Sequence, residues 1–421
     1  MEKNGTSMID KIRGFVFAWT FMEAPAFFAV YAVTGRTYSG SESSSAYVIY
    51  MVALLTAQVY FLIRKRLIRR TALKWLLFPL LFVGMAYFTA IVKHQSISFS
   101  NIRNIVLWQY SGILLAINLV SYKLEETMKK SLVFLMLFIS VGSVISVLLP
   151  FLRGRQFYSI AGYSLTGSSF QAQTYYTALC IGVNLLFLLY SDYDKATKIS
   201  SYVLLGIQLI CIILYAGRGG MILALAYIVV FYFLNSRKSG NIKNKLIMIF
   251  IYLSIFTIIF LVVGQIVASS PVLQKRFDRV FSYIGNSGIE LSQTSNRDIV
   301  YAKALQYVKQ SPLVGYGMLG YMYLDGLNRY PHNIIMEMML EGGVLYLIFW
   351  IIIIVSGYKR IRSNGNKMSF QFFLIPFLFV MVKLMFSGTY SYEMLFWFFV
   401  AYSHMFRKVK NYPIDEDSEM S

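Results

Sequence analysis

The chain has 421 residues, 57% of them apolar and only 14% charged. Soluble chains carry about 25% charged residues, so a single soluble domain, a disordered tail and a nucleic-acid-binding module are each excluded as a description of the whole. The formal net charge of +20 comes from Lys and Arg gathered in short loops between apolar blocks, a pattern that orients a membrane protein before it signals an acidic ligand.

The apolar blocks run to about 18–25 residues, the length that crosses a hydrocarbon core. Twelve spans are predicted, at 15–33, 46–63, 73–92, 105–122, 131–150, 172–190, 199–215, 221–234, 246–268, 339–357, 369–387 and 392–406. Block 221–234 is short for a crossing, so its helix begins at Arg218 or runs beyond Leu234. The first block is followed by no small-residue cleavage site and is expected to stay as a signal anchor. Cys180 and Cys211 sit inside apolar blocks and read as small buried hydrophobes. Lys and Arg number 25 on one side of this arrangement and 13 on the other, which makes the first side cytoplasmic and puts both termini inside. The organisation expected is transmembrane helices 1–9 over 1–268, an external loop with two short helices over 269–332, helices 10–12 over 333–406, and a cytoplasmic acidic tail over 407–421. The fold class is all-α: a polytopic bundle of about 12 transmembrane helices with one long, partly helical external loop.

Only that loop is long enough to need structure of its own. Segment 271–284 (PVLQKRFDRVFSYI) interleaves apolar and basic residues at helical spacing and reads as an amphipathic interfacial helix. A polar turn, 285–295, precedes a second helix, 296–310, capped by Ser295 or Asn296 and stopped at Ser311-Pro312. A glycine-rich stretch then leads to Pro331-His332-Asn333, where a further helix starts. Its glycines, Gly315, Gly317 and Gly320, fit G-x-G-x-x-G. That fingerprint binds dinucleotides only inside a βαβ unit, which this chain lacks, so a tight turn or a close backbone approach is the better reading.

Several residues are candidates for chemistry. Arg218 lies in Ala216-Gly217-Arg218-Gly219-Gly220. It is either a snorkelling arginine in a tight hairpin or a diphosphate ligand, with Gly217 and Gly219 leaving guanidinium and backbone amides open to a substrate. Arg297 opens the second loop helix, where an anion is favoured; Asp298 beside it offers plain charge balance instead. His332 is either an interfacial polar residue, an end cap with Asn333, or a general base able to take a proton from a sugar hydroxyl. Arg153 and Arg155 share an outer loop with Tyr158 and Tyr163 and suit a polyanionic or sugar chain. Glu23 and Lys383 fall within spans and are expected to face the bundle interior, as a structural pair or part of a path. His94 and His404 lie at membrane boundaries, and three scattered histidines give no reason to expect a metal site.

Taken in order, Arg218 in its glycine hairpin, Arg297 in a long outer loop, SPLVGYGMLGY after it and PHNIIMEMMLEGGVLYLIFW leading into a span resemble the O-antigen ligase/polymerase family of bacterial membrane glycosyltransferases. The likeness is strongest over 216–350. It implies a GT-C-like membrane fold in the inner membrane and a metal-independent, cofactor-free transfer from an undecaprenyl-diphosphate-linked glycan. It further implies that Arg218 and Arg297 hold the diphosphate, that His332 with Asn333 faces the acceptor, and that Glu341 fills a structural position. A flippase and a chain-length regulator are the implied partners. AGRGG replaces the commoner SRGG, so Ala216 lacks a hydroxyl that might touch phosphate. Polymerisation of repeat units is the favoured reaction. Transfer to lipid A-core is the alternative, and a twelve-span transporter a more distant one, since transporters place polar residues at the midplane of paired halves.

Overall fold

The computed structural model describes residues 8–36, 40–64, 70–122, 126–153, 169–190, 195–235, 297–325, 327, 330–364 and 367–405, with isolated positions between 246 and 289. All but the last residue of the expected interfacial helix at 271–284, the bulk of block 246–268 and the tail 407–421 lie outside the described residues.

Helices account for nearly all of it. They are α1 (Met8–Phe21), α2 (Glu23–Thr34), α3 (Gly40–Arg64), α4 (Arg70–Val92), α5 (Phe99–Tyr122) and α6 (Glu126–Ser143). A π-turn, Val144–Leu148, joins α6 to α7 (Leu149–Leu152), followed by α8 (Phe170–Tyr190), α9 (Lys195–Tyr215) and α10 (Arg218–Asn235). Beyond these come α11 (Arg297–Gln310), α12 (Ile334–Asn364), α13 (Lys367–Phe386) and α14 (Met394–Met405). The polar turn at 285–295 begins with a two-residue ladder, Ile284–Gly285 against Gly288–Ile289.

The membrane reading holds in coarse form. Among the described residues, six helices are long and apolar enough to cross a bilayer, or seven if α1 and α2 form one span. Their unpaired apolar faces are large, with Phe88 and Ile91 69% and 70% exposed on α4, as lipid-facing side chains are.

The count of about twelve spans is not supported, for identifiable reasons. The first block is broken: α1 and α2 meet at 94°. Pro25 cannot donate to the carbonyl of Phe21 and its ring clashes there, so α1 stops at Phe21 and a new helix starts at Glu23. The last block yields only the 12-residue α14, about 18 Å long at ~1.5 Å per residue, against the ~30 Å of a hydrocarbon core. Ten consecutive residues of α14, Met394–Ser403, are buried, which marks a core helix rather than a lipid-facing one. Block 221–234 does extend back to Arg218.

The core is built from helix pairs. α14 lies along α5, α10 along α8, and α6 against both α1 and α2. Trp350 and Trp397, both at most 1% exposed, meet edge-on at 5.8 Å. Cys180 and Cys211 are free and buried, as expected.

Candidate functional site

The arginine hairpin comes first. α9 ends at Tyr215, and Ala216 adopts a positive φ of 52° to reverse the chain. α10 then begins at Arg218, which is partly buried. The glycines around it are places of close packing. A Cβ on Gly217 would lie 1.8 Å from Thr174 Oγ1, and one on Gly219 would lie 1.8 Å from Tyr175 Oη. A Cβ on Gly220 would meet the backbone carbon of Thr174 at 2.5 Å. The glycines are there so that α8 can pass against the start of α10, as small residues permit between membrane helices. Arg218 is left as the one long side chain at the head of α10.

Arg297 opens α11, and Tyr301 lies one turn later on the same face. Tyr301 Oη donates to the carbonyl of His332 at 3.5 Å. Tyr301 thus joins Arg297's helix to His332, while the hydroxyl of Tyr175 fills the space beside Gly219 in the hairpin of Arg218. Asp298 is the immediate neighbour of Arg297 on that helix.

His332 holds a φ of 55° and packs its ring against Tyr330, edge-on at 4.5 Å. A positive φ is rare for a side chain larger than Asn, so the backbone here is fixed by its surroundings. Asn333 next to it is committed elsewhere. Its Oδ1 accepts from the amides of Ile335 at 3.0 Å and Met336 at 3.1 Å, which caps α12. Asn333 thus caps the helix that His332 leads into.

The glycine-rich loop has a structural role of its own. α12 is kinked at Gly342 and Gly343, the latter at φ 66°. The freed backbone is taken up by the loop. Tyr316 N–H donates to Leu340 O at 2.7 Å, Gly317 N–H to Glu341 O at 2.8 Å, and Val344 N–H to Pro312 O at 2.8 Å. Gly315 and Gly317 have φ of 62° and 89°, so the stretch read as a decoy is a close backbone approach, made to a broken helix. Glu341 Oε1 accepts from Leu319 N–H at 3.0 Å, and its Oε2 accepts from Tyr390 Oη. Glu337, one turn earlier, accepts from Tyr321 Oη at 3.3 Å and from Thr389 Oγ1. These two buried carboxylates fasten loop, α12 and the start of α14 together, which bears out the structural place given to Glu341.

Other candidates do not join this group. Arg153 is exposed at the end of α7, and Arg155, Tyr158 and Tyr163 lie outside the described residues. His404 is engaged by Ser356 Oγ at 3.0 Å and by the carbonyl of Val400 at 2.9 Å. Glu23 and Lys383 do face the interior but are not paired with each other: Lys383 Nζ lies 2.5 Å from Glu393, and Glu23 accepts from Tyr47 Oη. Among the described residues no group of three His, Cys, Asp or Glu side chains is arranged to hold a metal ion. Thr174, Tyr175, Tyr301 and Glu337 were not singled out from the sequence. Only Glu337 had a local signal, its i,i+4 spacing from Glu341.

Residues 202–351 match the family model for O-antigen ligase. Neither a curated protein nor a solved structure matches the chain. The matched stretch contains Arg218, Arg297, His332 and Glu341. Over residues 202–351 this chain is thus similar to the O-antigen ligase family.

Proposed function

We propose that the protein is an inner-membrane glycosyltransferase that polymerises undecaprenyl-diphosphate-linked repeat units into O-antigen or capsular polysaccharide at the outer leaflet. The observation that carries this reading is the family match over 202–351, which contains Arg218, Arg297 and His332, together with the bond that ties Arg297's helix to His332 through Tyr301. Two guanidiniums and a proton acceptor suit one reaction. An acceptor hydroxyl attacks the anomeric carbon, the bond from that carbon to the phosphate oxygen breaks, and the lipid diphosphate leaves with the electron pair. Negative charge on the diphosphate grows as that bond breaks, so arginines aimed at it act more on the transition state than on the bound substrate. His332 takes the hydroxyl proton. The activated lipid supplies the driving force, so the reading needs no cofactor and no metal.

The reading is tested with purified protein, lipid-linked repeat units and EDTA. A ladder of products, each longer by one unit, is expected. No ladder until lipid A-core is added would make the protein a ligase instead, and no transfer to either acceptor would end the glycosyltransferase reading. The accompanying topology, with cytoplasmic termini and 269–332 outside, expects single cysteines at Asn286 and Asn241 to be labelled from outside and inside respectively. The reverse pattern would place the arginines on the wrong side for an outer-leaflet donor.

A further inference from the structure

The break between α1 and α2 opens a cavity of about 270 Å³, lined among others by Glu23, Tyr47, Trp108, Tyr176, Lys383 and Glu393. Glu23 and Glu393 are 8% and 9% exposed. Tyr47 Oη donates to one oxygen of Glu23, and Lys383 Nζ holds one oxygen of Glu393 at 2.5 Å. The second oxygen of each carboxylate accepts no hydrogen bond among the described residues. Tyr392 adds a buried hydroxyl that likewise has no partner there. Three chargeable groups within a membrane bundle are costly to keep for packing alone, since an apolar set would serve as well or better. The other walls are aromatic: Phe28 stacks on Tyr176 at 6.0 Å, and Tyr47 lies 5.7 Å from Trp108.

Carboxylate oxygens awaiting donors, between aromatic faces, match a sugar ring. Its hydroxyls donate to the carboxylates and its C–H face lies on an aromatic ring. Two carboxylates repel a phosphate, so a second diphosphate is not the occupant. At ~30 Å³ per water the space equals about nine waters, which suits one sugar residue rather than an oligosaccharide.

The cavity adjoins the arginine hairpin. Tyr175 and Tyr176 are neighbours on α8; Tyr176 lines the cavity while the hydroxyl of Tyr175 backs Gly219. The ring of Tyr175 also meets Phe379, another cavity residue, edge-on at 6.4 Å. Tyr175 and Phe379 thus run from the hairpin of Arg218 to the cavity lining. The two carboxylates disfavour the donor's first sugar there, because that sugar is bonded directly to the diphosphate. Resting on the glycosyltransferase reading, we propose that this cavity is the subsite for one sugar residue of the acceptor glycan.

Two measurements test this on the purified full chain. In the first, steady-state extension is measured with donor and acceptor varied separately, for wild type, Glu23→Gln and Tyr47→Phe. The acceptor KM is expected to rise ~10-fold or more in Glu23→Gln, as befits a lost bond to a charged acceptor, with kcat and donor KM within about 3-fold. Tyr47→Phe keeps the ring and is expected to shift the acceptor KM in the same direction by less. It also serves if Glu23→Gln fails to fold. A rise in donor KM instead, or no change in acceptor KM in a folded variant, overturns the proposal. The second needs no turnover: oligosaccharide released from the host's own surface glycan is titrated against intrinsic fluorescence. A saturable change that Trp108→Phe removes supports the subsite, and a change that survives Trp108→Phe or Glu23→Gln contradicts it. Extension abolished by Arg218→Ala alongside an unmoved acceptor KM in Glu23→Gln would leave the enzyme reading intact while removing this one.

Discussion

Two glycine-rich segments of this chain look alike in sequence and differ in what they do. Gly217, Gly219 and Gly220 surround an arginine, and their missing side chains are replaced by Thr174 and Tyr175 of α8. Gly315 and the facing Gly343 surround no charge, and what fills their space is the backbone of the kinked α12 and of the loop it receives, while Gly317 between them is backed by the side chain of Thr89 on α4. Both are places of close approach. In the first, a side-chain contact delivers Arg218 to the head of α10. In the second, a backbone contact mends a broken helix whose amides would otherwise be left in an apolar medium. The lesson is that a glycine cluster reports crowding, and that what crowds it decides whether it serves chemistry or folding.

The comparison is broken most sharply at the charge the first segment carries. Arg218→Ala and Arg297→Ala are each expected to lower turnover by ~10²–10³-fold or more, the scale of losing a preorganised charge contact, with membrane insertion unchanged. Lysine at either position restores only part, since it lacks the bidentate fork. Full activity of the lysine variants in a chain-extension assay would remove bidentate recognition, and full activity of the alanine variants would move the site elsewhere.

The second segment is tested through stability. A Cβ at Gly343 would lie 2.1 Å from the backbone carbon of Leu313, at a φ of 66°. Gly343→Ala is expected to destabilise by about 3 kcal/mol or more, read as a lowered Tm of the purified protein. Trimming the side chain of Leu313 is not expected to help, because the clash is with backbone. Gly217→Ala is milder, about 1–3 kcal/mol, and its clash is chiefly with a side chain. Thr174→Ala in the same chain removes the 1.8 Å contact and leaves Thr174 Cβ at 2.8 Å, so part of the lost Tm and activity returns. If Gly217 instead touched substrate, the second substitution would rescue nothing. The smallest effect is at Asn333. Its replacement by Ala removes a helix cap worth ~1 kcal/mol, and Asn333→Ser keeps most of it. Neither is expected to change a substrate KM, and a change in both would return Asn333 to the binding site.

The membrane character, the helix at 297–310 and the backward extension of α10 to Arg218 were all legible, because each rests on local composition or a local stop signal. Pro25 was a local signal too, but the uniform apolarity of 15–33 concealed it, and a straight span was expected where the chain turns by 94°. α14 misled for a related reason: its residues are as apolar as a span, and only burial against α5 distinguishes a core helix from a lipid-facing one. Of the site, the order of Arg218, Arg297 and His332 was readable. The tie between Arg297's helix and His332 was not, because the contact of Tyr301 that makes it reaches across 31 residues. The end cap at Asn333 and the structural place of Glu341 were legible as well.

The central claim is that two arginines hold the diphosphate while His332 takes the proton. It is tested most directly by the single-turnover rate at saturating donor, measured across pH in the presence of EDTA for wild type and His332→Gln. The account predicts a wild-type rate that rises with pH through a single ionisation, that of the imidazole. It predicts a His332→Gln rate lower by ~10²–10⁴-fold that lacks this rise, with donor affinity nearly unchanged. A glutamine variant that keeps most of its rate and the same pH profile would contradict it, and would leave His332 as a residue that only positions the acceptor.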